Sequence, residues 1–187
     1  MYRDVIAVTN RHLCQRPFLE QIERVCSIHP KALLLREKDL SEEEYEALAR
    51  EVLAICDAHQ VPCILHFFPE VAKKLQVDAI HLPLWKLKKY ASELTDFSQI
   101  GTSTHSPAEA LEAQQLGATY VTAGHIYTTD CKKGLPPRGL DFLQNVCNAV
   151  TIPVYAIGGI KLNDSQVNEV KSRGASGACV MSGMMRL

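Results

Sequence analysis

The sequence predicts a single α/β domain over residues 1–187, folded as a closed (β/α)8 barrel. Three observations lead there. Short β-rich runs alternate strictly with helical patterns, which is how a parallel sheet with helical crossovers reads. The runs number eight, which favours closure over an open doubly wound sheet, and no G-x-G-x-x-G follows the first run as a dinucleotide-binding sheet would require. At 187 residues the chain buries about 70 % of its unfolded surface, and it sits just under the usual size range of such barrels.

Taken in order, the first strand is "VIAVT" (5–9), dense in β-branched residues, and the second is "ALLLR" (32–36). Ser41-Glu42-Glu43-Glu44 reads as a capping box opening the helix "EEEYEALAREVLAICDAHQ". Strands three and four are "PCILH" (62–66) and "DAIHL" (78–82), followed by "QIGTS" (99–103) as strand five. Ser106-Pro107-Ala108-Glu109 reads as a second capping box, with proline at the first helical position, and Gly117 closes that helix. Strand six is "TYVTA" (119–123) and strand seven "PVYAI" (153–157). Asn163-Asp164 opens "SQVNEVKSRG", which ends at Gly174, and "GACVM" (177–181) is strand eight. Only "SGMMRL" follows, so the barrel is expected to lack its final helix. The outward apolar side chains of "VIAV" and "GACV" would then face water, and a homodimer is the expected cover.

Composition excludes several classes. A formal net charge of −1 offers no basic excess for nucleic acid, so any anionic ligand must meet a local cluster of cations. The longest apolar runs, "ALLL" and "VPCILHFF", are too short to span a bilayer, and "MYRDVIAVTN" lacks the layout of a signal peptide. Cys14, Cys26, Cys56, Cys63, Cys131, Cys147 and Cys179 show no C-x2-C pairing and fall mostly in apolar segments. They read as reduced core thiols of a cytoplasmic protein, with no zinc site.

In a barrel of this kind the chemistry sits at the carboxyl ends of the strands. Strand two leads into "LREKD", where period-two alternation points Arg36 and Lys38 to the same side. Strand three ends in His66, strand four in His81, and strand five in "STHS", with Ser103 and His105. Strand six delivers His125, Thr129, Cys131 and Lys132, while Lys133 reads as a solvated charge. The segments "AIGGI" and "VMSGMM" place Gly158, Gly159, Met181, Ser182 and Gly183 after strands seven and eight. In such barrels backbone N–H groups at this position surround a phosphate. His12, His29 and His59 fall on or beside helices, away from the mouth.

The runs "IGTSTHSPAEALEAQQLGATYVTAGHIY" and "PVYAIGGI…GASGACVMSGM" resemble the thiamine phosphate synthase superfamily, and "LREKD" fits too. The resemblance covers nearly the whole chain and implies a TIM barrel. Synthase members join a pyrimidine diphosphate to a thiazole phosphate with Mg²⁺, and after strand six they read roughly G-P-I-F-x-T-x-[ST]-K. Gly124, Ile126, Tyr127, Thr129 and Lys132 fit that pattern, whereas His125 replaces the proline and Cys131 the hydroxyl residue. The family's metal-binding carboxylates lie at the end of strand three and shortly after the strand-four histidine. Those positions fall here on His66-Phe67 and at about Lys86. Phe67 offers no oxygen ligand and Lys86 repels a cation, so metal-assisted loss of pyrophosphate is expected to be disabled.

"GHIYTTDCKKGL" is instead similar to the TenI-like branch, the thiazole tautomerases, which carry a histidine after that glycine. The resemblance implies metal-free isomerisation of a carboxythiazole phosphate to its aromatic tautomer, in thiamine biosynthesis and with no cofactor. His125 would be the general acid/base, a role suited to imidazole chemistry near neutrality. Arg36 or Lys38 would meet the substrate carboxylate. A thiamine phosphate synthase and a non-catalytic thiazole-phosphate-binding regulator are the two rival readings.

Overall fold

The computed structural model describes residues 2–132 and 134–187, without the side chain of Cys131. Eight strands close a barrel in sequence order: β1 (Val5–Val8), β2 (Ala32–Leu35), β3 (Cys63–His66), β4 (Ala79–Pro83), β5 (Gln99–Thr104), β6 (Tyr120–Gly124), β7 (Val154–Ile157) and β8 (Gly177–Val180). Every neighbouring pair is parallel, and β8 returns to β1 with Cys179 opposite Ile6.

Seven helices follow the first seven strands: α1 (Phe18–Ser27), α2 (Glu42–Ala58), α3 (Pro69–Lys74), α4 (Leu84–Tyr90), α5 (Pro107–Gln115), α6 (Gly139–Ala149) and α7 (Asp164–Ser172). The Ser41 box forms in full: the Ser41 hydroxyl accepts from Glu44 N–H, and the Glu44 carboxylate accepts from Ser41 N–H. At α5 the Ser106 hydroxyl accepts from Glu109 N–H, but the Glu109 carboxylate reaches back one residue further, to His105 N–H. Asn163 caps α7 by accepting from Gln166 N–H.

Strand alternation divides the interior into two cores. Ile6, Val8, Leu34, Ile64, Tyr120, Tyr155 and Cys179 fill the barrel, while Val5, Leu33, Leu35, Leu65, Ile80 and Val121 face the helices. Tyr45 on α2 ties the layers together. Its hydroxyl donates to Leu35 O and accepts from His66 N–H, each at 2.7 Å, at the carboxyl ends of β2 and β3.

After β8 the chain forms a 3-10 turn, Met184–Arg186. The expected bare patch is absent. Val5, Ala7, Ala178 and Val180 are all buried within one chain, in the same apolar core as Met184 and Met185 of the turn. The turn is held from α1, where the Gln21 side-chain amide donates to Met184 O at 2.7 Å, and by Arg16, which donates to Leu187 O at 2.5 Å. Exposure of those strands therefore supplies no argument for a dimer. Among the described residues no helix is long and apolar enough to cross a membrane. Cys14, Cys26, Cys56, Cys63, Cys147 and Cys179 are free thiols.

Candidate functional site

The segment after β2 shows how alternation aims the site. Glu37 turns outward from the barrel axis and is buried. It accepts from Thr9 Oγ1 at 2.7 Å, from Arg11 N–H, and from the Arg11 guanidinium at 3.1 Å. Thr9 Oγ1 in turn accepts from Arg36 N–H at 2.9 Å, and Arg11 also grips Asp39. With Glu37 locked to the segment that follows β1, its neighbours Arg36 and Lys38 both face the barrel mouth. Burial, with Arg36 and Lys132 adding to it, holds the Lys38 ammonium below its usual range.

His66 and His81, from β3 and β4, stack beneath those cations with ring centroids 6.0 Å apart. Burial, with Arg36 and Lys38 adding to it, pushes His81 down to about 3. Burial and His81 push His66 well below its usual value. Both rings are therefore neutral. His81 is bonded at both nitrogens, to Tyr120 Oη and to Ser103 Oγ, whereas His66 Nδ1 is buried without a partner among the described residues.

His125 directly follows β6 through a cis Gly124–His125 peptide. Its segment is fastened to the end of β7: Ile126 N–H donates to Ile157 O at 3.0 Å and Tyr127 N–H to Gly158 O at 2.9 Å. Arg138 N–H returns to His125 O at 3.0 Å. Gly158, with φ of +99°, forms the floor beneath the histidine, since a Cβ there would come within 2.3 Å of His125 Cβ. The half-buried imidazole touches Leu135 O through Nε2 at 3.4 Å.

These parts surround one cavity of about 930 Å³ at the carboxyl ends of the strands. Of the residues singled out from sequence, His66, His81, His105, His125, Arg36, Lys38, Ser103, Thr129, Lys132, Gly158, Gly159, Met181, Ser182 and Gly183 all line it. The Cys131 side chain and Lys133 lie outside the described residues. His12 pairs with Asp39 and His59 with Glu23, away from the cavity. Sequence reasoning missed Lys161, which joins Gly158 and Gly159 from the β7 loop, and the Thr9–Glu37–Arg11 network that aims Arg36 and Lys38. The signal for Glu37 was present, because a residue between two inward cations must point the other way.

The cavity wall is cationic. Arg36, Lys38, Lys132 and Lys161 line it, and Asp130 is the single carboxylate among the described lining residues. Phe67 and Lys86 sit together beside it, with Lys86 Nζ 3.7 Å above the Phe67 ring, and Trp85 meets that ring edge-on at 6.0 Å. Among the described residues no three His, Cys, Asp or Glu side chains converge as a metal-ligand set. A cation resting on an aromatic face is the reverse of what Mg²⁺ needs there, so these residues do not fit that metal.

The family model described as "Thiamine monophosphate synthase" matches residues 5–184. A thiamine-phosphate synthase of Clostridium acetobutylicum is 32% identical over 189 residues, covering 98% of this chain and 87% of that protein. "Thiamine-phosphate synthase 2" of Streptococcus pneumoniae is 31% identical over 185 residues, covering 96% and 86%. Among solved structures, thiamine phosphate pyrophosphorylase from Pyrococcus furiosus superposes with a TM-score of 0.82 at 27% identity, covering 98% of this chain and 89% of that one. FabK from Thermotoga maritima shares the barrel alone, with a TM-score of 0.74 at 16% identity.

Proposed function

Because the chain belongs to the thiamine monophosphate synthase family, its chemistry lies within thiamine biosynthesis, and we propose that it is a metal-free thiazole tautomerase acting on a carboxythiazole phosphate. One observation carries the reading. Of the four cavity histidines, His66 and His81 are kept neutral by burial and His105 lies against Glu109 at 3.4 Å, whereas His125 stands half-exposed at the mouth on the Gly158 floor.

The chemistry follows from that placement. His125 takes the proton from the ring carbon of the non-aromatic substrate. The C–H electron pair enters the ring, the exocyclic double bond shifts, and the exocyclic carbon takes up a proton, so that the ring becomes aromatic with no net change in charge. The backbone N–H groups of Gly158, Gly159, Ser182 and Gly183 hold the phosphate, helped by Lys132 and Lys161, and Thr129 lines the same wall. Arg36 or Lys38 meets the carboxylate.

The test is to add the protein to carboxythiazole phosphate in deuterium oxide and follow aromatisation by proton NMR. The reading expects acceleration over the unassisted rate with one deuteron on the exocyclic carbon. An unchanged rate would overturn it. The second reading, thiamine-phosphate synthase, is favoured by the names of relatives near 31% identity over almost the whole chain. The Phe67–Lys86 contact weighs against it.

A further inference from the structure

The floor of the cavity holds a hydrogen-bond chain whose polarity is fixed by elimination. Tyr120 lies inside the barrel, in the space left by the missing side chain of Gly101, where an added Cβ would fall 2.0 Å from its ring. Its buried hydroxyl has one polar partner among the described residues, His81 Nδ1 at 2.9 Å. If Nδ1 carried the imidazole proton, the phenol hydrogen would be left without an acceptor in an apolar interior. The phenol must therefore donate to Nδ1. Since His81 is neutral, its single N–H is then on Nε2, 2.9 Å from Ser103 Oγ. Thr122 Oγ1 donates to that same oxygen at 3.4 Å. Both lone pairs of Ser103 Oγ are thus occupied, and all it has left to offer is its proton. Ser103 lines the cavity.

We propose that Tyr120 and His81 are positioning residues that make Ser103 a one-way hydrogen-bond donor, so that the ligand atom it meets is an acceptor. That atom is a ring nitrogen or a carboxylate oxygen, and an amino or hydroxyl hydrogen at the same place is rejected because Ser103 has no lone pair free to receive it. Naming the acceptor as part of a carboxythiazole phosphate rests on the function proposed above. The polarity of the chain does not.

Two measurements separate these. In ¹⁵N-histidine-labelled full-length protein without ligand, His81 is identified by the peaks lost in His81→Gln. It should show a bare Nδ1 and a protonated Nε2. A wild-type His81 protonated on Nδ1 overturns the proposal whatever the ligand is. In calorimetric titrations, Ser103→Ala should weaken aromatic carboxythiazole phosphate by about 2–12-fold, the worth of one hydrogen bond, and leave inorganic phosphate unchanged. Equal weakening of both probes would overturn the donor role. Failure of the wild type to bind carboxythiazole phosphate would refute the proposed function while leaving the tautomer result to decide the chain's polarity.

Discussion

Replacing Gly158 by alanine tests how His125 is held. Two costs meet at this position. The backbone φ of +99° is one that side chains rarely adopt, worth about 1–3 kcal/mol. The new Cβ would also lie 2.3 Å from His125 Cβ and 2.8 Å from its Cα. Those atoms cannot swing aside as the end of a flexible side chain would, so the β6 segment must move, at an overpacking cost of about 1–3 kcal/mol. Gly117 supplies an internal control, since its φ is +92° but nothing lies within 4 Å of the added carbon. Gly117→Ala should therefore carry the first cost alone. Urea unfolding of both variants should show Gly158→Ala less stable than Gly117→Ala by about 1–3 kcal/mol. In the tautomerisation assay Gly158→Ala should also lose about 10²-fold in rate, as expected when a catalytic group shifts by about 1 Å, while Gly117→Ala keeps the wild-type rate. Equal losses of stability, or an unaffected rate in Gly158→Ala, would refute the claim that this glycine positions the base.

Tyr45→Phe removes the hydroxyl that donates to Leu35 O and accepts from His66 N–H, and should destabilise the protein by about 1–3 kcal/mol in urea melts; a variant as stable as the wild type would mean those buried groups find other partners. His81 stays neutral down to about pH 3 in the folded protein, whereas an unfolded histidine protonates near pH 6.5, so between these values the unfolded chain binds the extra proton. Stability should accordingly fall as pH drops below about 6.5, with this residue contributing about 1.4 kcal/mol per pH unit. Urea melts at pH 7 and 5.5 should show a shallower fall in His81→Gln, and an unchanged fall would contradict the burial argument. Incubated with both synthase substrates and Mg²⁺, the protein should give no thiamine phosphate above a no-enzyme blank, because Lys86 rests on the Phe67 ring and neither residue offers an oxygen ligand; robust product would establish the synthase reading instead.

The fold was legible because its signals are local. Each run of β-branched and aliphatic residues became a strand within a residue or two, and Ser41, Ser106 and Asn163 cap helices as their positions in the sequence imply. The cavity residues were legible for a related reason, since a parallel barrel gathers whatever follows each strand at one mouth. What escaped depended on contacts between distant segments. The turn after β8 shows this best: "SGMMRL" carries no helical pattern, but Gln21 and Arg16, more than 160 residues earlier, hold it by bonds to Met184 O and Leu187 O. The role of Glu37 in "LREKD" likewise depends on Thr9 and Arg11, more than 25 residues earlier, which surround it. Tyr120 carried no sequence signal at all, because its partner His81 lies 39 residues away across the barrel.

The central claim is that His125 moves the proton, and His125→Asn measures it most directly. Asparagine keeps much of the shape and a hydrogen-bonding edge but has no titratable nitrogen. With carboxythiazole phosphate in deuterium oxide, the tautomerisation rate should fall by about 10²–10⁴, with affinity for the aromatic product roughly unchanged. Turnover of His125→Asn at the wild-type rate would contradict it.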